Sequence, residues 1–444
     1  MSTSEAVLRQ SRFMTFDGAV SAVTAHQRPD RYRHLEADLG LRKRIARGAG
    51  LSYSAASFGE GVVVQEMTAF DRLLAFDEST RMLKVEAGAT LERVLAWAHP
   101  RSLRLAVVPG YPRITIGGCI AADVHGKNPL RDGTFCDWVE ALTIFHPARG
   151  FRSITHAADP EAFEAACGGF GLTGLIVDAT LRLVPAGARN VKLEAHGSGS
   201  LAEAAERLQQ AADSDFAYSW HDGTSRGARF GNGIVFIGRW TDERPSRSTR
   251  AYFAMSSAAR ARWPLSMWNR ATVWAANSIY RHLATTGPAR VQSAFDAEFP
   301  FARQTFYHRM YGRPGLAEMQ LLVPQDRLPQ FIERLAKVVA DIDPPLVLMS
   351  MKRFAGRTHS LAMSGTGMLV ALDLARSDAT ARFATAIDAL ALDMGAQPNA
   401  VKDSRLPAQV AAAALPHYAR FRDRIHSLDP DRLYESELSR RLEL

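Results

Sequence analysis

The chain has 444 residues, 47% of them hydrophobic and 23% charged, which excludes a disordered tail, a collagen-like repeat or a disulfide-held mini-protein. Its 54 basic residues exceed 46 acidic ones by a net charge of +8, dispersed along the chain. A basic nucleic-acid-binding protein is the rival of another class, but it would need a contiguous basic face with base-stacking aromatics, so no nucleic acid is expected as partner.

Seven basic residues are lysine, so a lysine at a motif position is not routine surface decoration. Cys119, Cys136 and Cys167 are odd in number and widely spaced, fitting neither paired disulfides nor zinc signatures; a reducing compartment and no metal are expected. No basic segment followed by an apolar run opens the chain, and no apolar run of about 18 residues occurs. The expectation is a cytoplasmic protein, or one peripheral to the inner membrane, without signal peptide or transmembrane helix.

In chain order, Gly61–Met67 and Met82–Ala87 read as strands. Thr90 is the predicted cap of a helix whose Leu91, Val94, Leu95 and Ala98 share one face, with Pro100 stopping it. Val108–Gly118 is dense in glycine and proline. Ala141–His146 and Phe151–Thr155 flank a turn and should pair as a hairpin. Asp159–Cys167 reads as helix and Leu175–Val184 as strand, so residues 1–185 form an α+β domain of short strands. From 186 to 385, strands at Asn190–Ala195 and Gly233–Gly238 around a helix from Leu201 to Asp213 predict a second α+β domain. Within it Ala259–Arg281 interleaves arginine with three tryptophans. That stretch is either a helix packed on its own domain or an interfacial element touching membrane or a lipid-linked substrate. Residues 386–444 are helical in pattern.

Three glycine clusters stand out. Gly169-Phe-Gly-Leu-Thr-Gly174 spells the dinucleotide fingerprint, yet that motif works only with a strand before it and a helix after it. Here the order is reversed, and the glycines predict a tight backbone turn. Arg47-Gly-Ala-Gly-Leu-Ser-Tyr53 and Thr115–Asn128 are better phosphate candidates, because consecutive amides in glycine-permitted conformations form anion-binding nests. The second delivers His125 and Lys127 at its end.

These clusters, with Pro109-Gly, Ile116-Gly-Gly, Val124-His-Gly-Lys-Asn, Val401-Lys-Asp-Ser-Arg405 and the terminal Arg440-Arg-Leu-Glu-Leu444, resemble the flavoenzymes of the vanillyl-alcohol-oxidase superfamily. Within it they are most similar to the enzymes that oxidise a polyprenyl-phosphate-linked pentose. The resemblance runs from about residue 10 to the last and is weakest between about 240 and 315.

It implies a two-subdomain PCMH-type FAD-binding domain over 1–185, a substrate-binding cap over 186–385, and a helical segment over 386–444 returning to the FAD domain. The cofactor's pyrophosphate would rest on Arg47, Gly48, Ala49, Gly50, Leu51, Ser52 and Tyr53. Gly110, Thr115, Ile116, Gly117, Gly118, Ala122, Asp123, Val124 and His125 would complete the cradle, with Ile176 touching the cofactor. The implied chemistry is hydride removal from a sugar carbinol, the first half of an epimerisation completed by a separate NAD(P)H-dependent keto-sugar reductase. Lys402 is the first candidate for the reacting hydroxyl or the flavin's edge, with His125 as alternative base. Lys127, Lys352, Gln320, Trp220 and Tyr218 match substrate-lining positions. Taken singly, a lysine at a domain interface is more often an ion-pair partner and a histidine an ordinary hydrogen-bonded side chain.

The chain departs from the family pattern at Leu369 and Ala371, where an amide and a thiol are expected, at Asn399 for a tyrosine, and at Glu318 for a glutamine. Ala371 leaves a thiol-directed inhibitor no sulfur to attack. An oxidase of soluble aldonolactones or alditols is the rival among enzymes. Many members tether flavin through a histidine in the first glycine loop, where this chain has Leu51. The expected outcome of acid precipitation is therefore yellow supernatant, absorbing near about 370 and 450 nm, over a colourless pellet.

Overall fold

Short β-branched runs closed by glycine build two small sheets from the first part of the chain. The computed structural model describes residues 8–37, 39–245, 263–300, 305–358 and 360–444, with backbone alone for 305 and 306. The opening of the Arg/Trp-rich stretch, 259–262, lies outside the described residues.

The first sheet has strands in the order Arg9–Met14, Ser21–Gln27, Val63–Glu66, Arg44–Arg47. The first pair is antiparallel and the rest parallel. The second runs Leu73–Asp77, Met82–Glu86, Leu175–Arg182, Val139–His146, Gly150–Thr155, all antiparallel. The hairpin at its end is the one the sequence predicts. Thr90 caps the Leu91–Ala98 helix, its side chain accepting from the Arg93 amide at 3.3 Å. That helix buries Leu91, Val94, Leu95 and Ala98, the face read from their spacing.

An eight-stranded sheet follows, antiparallel throughout, in the order Arg290–Ser293, Asn190–Ser198, Gly233–Thr241, Phe216–Asp222, Leu346–Gly356, Gly365–Ala375, Leu316–Pro324, Gln397–Pro398. The helices Leu201–Gln210, Leu328–Ile342 and Asp378–Met394 cover one face, burying Leu208, Leu335 and Ile387 against Met319, Met349, Val370 and Leu372. The boundary expected at 385 falls inside the last of these helices. Alternation along each strand then turns Gln320, Lys352 and Ala371 to the opposite face. Part of that face is covered by the Arg270–Thr285 helix, capped by Asn269, which accepts from the Ala271 and Thr272 amides. It buries Val273 and Asn277 but leaves Trp274 and Ile279 60% exposed, so the stretch is both packed and outward-facing. No described helix is long and apolar enough to cross a membrane.

The tail returns to the first sheets. Leu415, Phe421, Ile425 and Leu438 pack with Ile45, Phe58 and Val64, and Arg44 exchanges backbone bonds with Leu433 and Glu435. Buried Asp429 accepts from His146 Nε2 at 3.2 Å and from the Tyr434 amide at 2.7 Å. Asp429→Ala strands both donors, so it is expected to cost about 3 kcal/mol and lower the thermal midpoint by several degrees. Asp429→Asn keeps one acceptor oxygen for two donors, so it should recover only part of the loss in the same melting experiment.

Candidate active site

The first glycine loop leaves the Arg44–Arg47 strand and passes close to the second. A Cβ on Gly48 would sit 2.2 Å from Thr115 Oγ1, and Gly50 has φ +69°, where side chains are strained. Arg47 folds back over the loop: its Nη2 lies 2.1 Å from where a Cβ on Gly50 would be, while its guanidinium sits 4.9 Å from the Phe13 ring centroid and donates to Ser57 at 2.8 Å. Among the described residues, none of the six backbone N–H groups from Gly48 to Tyr53 donates to a protein acceptor. Five of the six residues, all but the exposed Ala49, are half-buried, and such amides without partners are costly unless something accepts from them. Six in one bend suit an anion such as a pyrophosphate, and open space in front of Gly110 adjoins no protein atom within 4 Å. The residues present therefore fit a dinucleotide such as FAD.

The second cluster behaves differently from its sequence reading. Thr115 caps a short helix, Ile116–Ala121, with its hydroxyl accepting from the Gly118 amide. The amides of Ile116 and Gly117 donate to Ala89 and Ala87 carbonyls at 2.8 and 2.7 Å. Those donors are committed within the fold, so Thr115 to Gly118 contribute close approach rather than a second nest. Ala122, Asp123 and Val124 likewise donate to Gly118, Ile120 and Cys119 carbonyls. Asp123 has φ 41° and its buried carboxylate accepts from the Cys136 amide, a clamp that turns the chain toward His125. Ile176 is 6% exposed and packs with Ile116, Cys119 and Ile120 beneath the same loop. Gly169–Gly174 is the turn expected, with positive φ at Gly171 and Gly174 between the Pro160–Ala166 helix and the Leu175–Arg182 strand.

The cap sheet faces these loops with its polar side chains. Lys402 Nζ lies 3.1 and 3.2 Å from the two Glu318 carboxylate oxygens and 4.3 Å from the Tyr53 ring centroid. The turn that carries it is fixed on both sides: Lys402 N donates to Asn399 O at 3.0 Å, and Arg405 grips Asp388 at 2.6 and 2.8 Å. Gln320 Oε1 accepts from Asn399 Nδ2 at 2.7 Å and lies 3.4 Å from His125 Nε2. Lys127 donates to the Glu298 carbonyl and sits 6.0 Å from the Tyr218 ring centroid. Lys352 has no side-chain partner among the described residues.

Desolvation within the cleft sets the protonation of these groups, and neighbouring charges add to it. Lys352 is brought down to about 7 by burial, then by the charges of Lys127 and Lys402. Burial and the Lys352 charge push His125 down to about 3, so its ring is neutral. A neutral imidazole carries one proton and serves either Gln320 or the Gly126 carbonyl, both acceptors. Burial lowers Lys127, opposed by Glu298.

Glu318 and Asp373 are direct cross-strand partners. Burial and the Glu318 charge push Asp373 well above the carboxylate range. Tyr307 donates to Asp373 at 2.9 Å and meets the Tyr311 hydroxyl at 2.7 Å. Sequence reasoning noted Glu318 only as a departure and missed Asp373, Tyr307 and Tyr311; the available signal was an acid at the polar-face position of each apolar strand. Trp220 stands at the edge, donating to Asn277 Oδ1 at 3.0 Å, its ring 6.3 Å from that of Tyr307. Tyr218 stacks on Phe236.

Residues 42–151 match the family described as FAD binding domain. The chain is 28% identical over 421 residues to decaprenylphosphoryl-beta-D-ribose oxidase of Mycolicibacterium smegmatis, covering 92% of this chain and 91% of that protein. It is 26% identical over 138 residues to L-gulonolactone oxidase of Mus musculus, 31% of each chain. It is also 26% identical over 160 residues to mitochondrial L-galactono-1,4-lactone dehydrogenase of Brassica oleracea, 36% of this chain and 24% of that one. Because a methyl at Gly48 strikes Thr115, Gly48→Ala should weaken FAD affinity by about tenfold, read by fluorescence titration of apoprotein, while Ala49→Gly at the exposed next position stays near wild type.

Proposed function

We propose that this chain, an FAD-dependent oxidoreductase of the PCMH type, oxidises a sugar hydroxyl to a ketone, and that its substrate is a polyprenyl-phosphate-linked pentose oxidised at the 2′-hydroxyl. The observation that carries this reading is the meeting of glycine loops and cap amines in one cleft, with Lys402 over Tyr53 and His125 against Gln320. The likeness to the ribose oxidase extends over 92% of the chain, cap included, whereas the lactone-oxidising enzymes match about a third of it. A soluble aldonolactone or alditol is therefore the weaker candidate. In this reading 1–185 holds the cofactor, 186–385 the substrate, and 386–444 returns Lys402 to the cleft.

The unpartnered amides of Gly48 to Tyr53 are the residues that would hold the FAD pyrophosphate. With Leu51 in place of a tethering histidine, the cofactor is non-covalent. Bound FAD supplies the acceptor for the two electrons and hydrogen leaving the carbinol carbon. The hydroxyl proton needs an acceptor whose pKa lies near working pH. Lys352 meets that condition, at about 7 and with no acceptor on its amine. Lys402, held by Glu318, orients and polarises the hydroxyl instead, and His125 at about 3 is too weak a base and positions Gln320. Lys127, Trp220 and Tyr218 bound the sugar. A keto-sugar product calls for a separate NAD(P)H-dependent reductase to complete an epimerisation. Exposed Trp274, Ile279 and Leu283 suit peripheral contact with the inner membrane's cytoplasmic side.

Anaerobic mixing with farnesylphosphoryl ribofuranose is expected to bleach the flavin, whereas free gulonolactone or ribitol at equal concentration leaves it oxidised; the reverse pattern overturns the substrate class. An amine accepts a proton only when unprotonated, so turnover should rise with pH and level off above about 7, the value to which burial and its neighbours bring Lys352. Lys352→Met should lower kcat by about 10²–10⁴ and abolish that limb, while a limb that persists in the variant would reassign the base.

A further inference from the structure

A second cavity, of about 300 Å³, opens between the Arg270–Thr285 helix and the neighbouring Phe216–Asp222 and Gly233–Thr241 strands. Arg281 and His282 reach it from the helix and Arg229 from the loop joining the two strands, between the indole walls of Trp220 and Trp274. Among the described residues none of these three basic side chains has a hydrogen-bond or ion-pair partner. Asp222, the carboxylate in the lining, is already occupied: it accepts from Thr224 N and Oγ1 and from Asn277 Nδ2. Glu203, which feels the charge of Arg281, is held by Arg207 at 3.0 Å and the Gly199 amide at 2.7 Å.

Two guanidinium groups and an imidazole line one concavity against a single carboxylate, Asp222, whose oxygens are turned to Thr224 and Asn277, and this excess of positive charge suits a multiply charged oxyanion. Guanidinium forks match phosphate oxygens two at a time. The cavity also adjoins the reaction cleft. Trp220 lines it, and the same indole approaches Tyr307, whose hydroxyl donates to Asp373 on the cleft side. Tyr218, two residues back on the same strand face, lies beside Lys127. One sheet face thus carries the amine cluster over its central strands and the basic cavity beyond, with Trp220 lining the cavity and reaching toward Tyr307.

We propose that this cavity is a phosphate subsite: the phosphate of a phosphate-linked sugar lies between Arg229 and Arg281, and the sugar passes Trp220 to reach Lys352. The inference rests on the substrate class proposed above and adds the residues that recognise its phosphate. Trp274, 60% exposed at the cavity's rim, gives a carbon chain beyond the phosphate an apolar surface to lie on.

The test is the double variant Arg229→Ala/Arg281→Ala, two side chains outside the packed core whose loss should leave flavin content intact. With farnesylphosphoryl ribofuranose its KM should rise about tenfold or more, as expected for losing charge-assisted bonds to phosphate, while kcat stays within about twofold. An unchanged KM overturns the subsite and leaves the substrate class standing. If the wild type oxidises no phosphate-linked sugar, the substrate class fails and the cavity is judged by binding alone. Trp220 and Trp274 line it, so tryptophan fluorescence is titrated with farnesyl phosphate and, separately, with inorganic phosphate. Binding by wild type that weakens about tenfold in the double variant supports the subsite, and a preference for farnesyl phosphate over inorganic phosphate identifies a lipid-borne source. Equal affinities in wild type and variant, or no binding of either probe, overturn it.

Discussion

Three lysine amines crowd one cleft, and the repulsion among them is the constraint on which the site depends. Each amine meets it differently. Lys402 is neutralised by Glu318 at 3.1 Å. Lys127 has the Glu298 carbonyl and, nearby, a carboxyl whose own affinity for protons is raised by burial. Lys352 has neither, so desolvation and its two charged neighbours, opposed only in part by the Glu318 charge, act on its own protonation. An amine of that kind is half neutral near physiological pH, which no exposed lysine is. The same logic explains why Glu318 and Asp373 tolerate direct apposition: Lys402 neutralises Glu318, and burial with the Glu318 charge raises Asp373 against the opposing Tyr307 hydrogen bond, so the pair need not carry two negative charges.

Sheet geometry makes this crowding possible without exposing it. Along Leu316–Pro324, Met319, Leu321 and Val323 enter the helix-covered core while Gln320 and Glu318 point to the cleft. Along Leu346–Gly356, Met349 and Met351 go to the core, leaving Lys352 on the other side. The helices behind the sheet therefore supply the burial that holds the strands in register, and a slip of one residue would exchange amines for methionines. The turn bearing Lys402 is fixed from a third direction, since Arg376 donates to Ser404 and pairs with Asp17 of the N-terminal segment. The N-terminal segment, the eight-stranded sheet and the tail are thereby joined at the one place where charge has to be controlled.

Much of this was legible in the residues. The Thr90 cap, the hairpin around residues 146–150 and the core face of Leu91–Ala98 follow from local rules that tertiary packing did not override. The scarcity of lysine singled out Lys127, Lys352 and Lys402, and the fold brings all three together. What stayed hidden depends on pairing between strands far apart in sequence. Glu318 and Asp373 become neighbours only through the register of Leu316–Pro324 with Gly365–Ala375, and no spacing along one strand announces its partner. The pairing of Lys402 was obscured for the same reason: its motif does not announce Glu318, which the fold places on its amine, while Lys352 is left without a side-chain hydrogen-bond partner among the described residues.

The glycine clusters make the general point most sharply, because similar spellings lead to opposite chemistry. In the Gly169–Gly174 turn, Phe170 N donates to Ala121 O, Leu172 N to Gly169 O, and Gly168 N just before it to Ile120 O. With Gly169 N donating to Ala166 O as well, three of the six amides from Gly169 to Gly174 are committed within the fold, and Gly169 and Gly174 serve close packing. In the Gly48–Tyr53 loop the chain bends with its amides unmatched, because Thr115 blocks any side chain at Gly48 and the parallel strand pair ends one residue earlier. A glycine motif becomes a binding site when its donors are left over after the fold has satisfied itself. Here six consecutive unmatched amides from Gly48 to Tyr53 stand against a turn in which three of six are committed, a difference that letter patterns do not show.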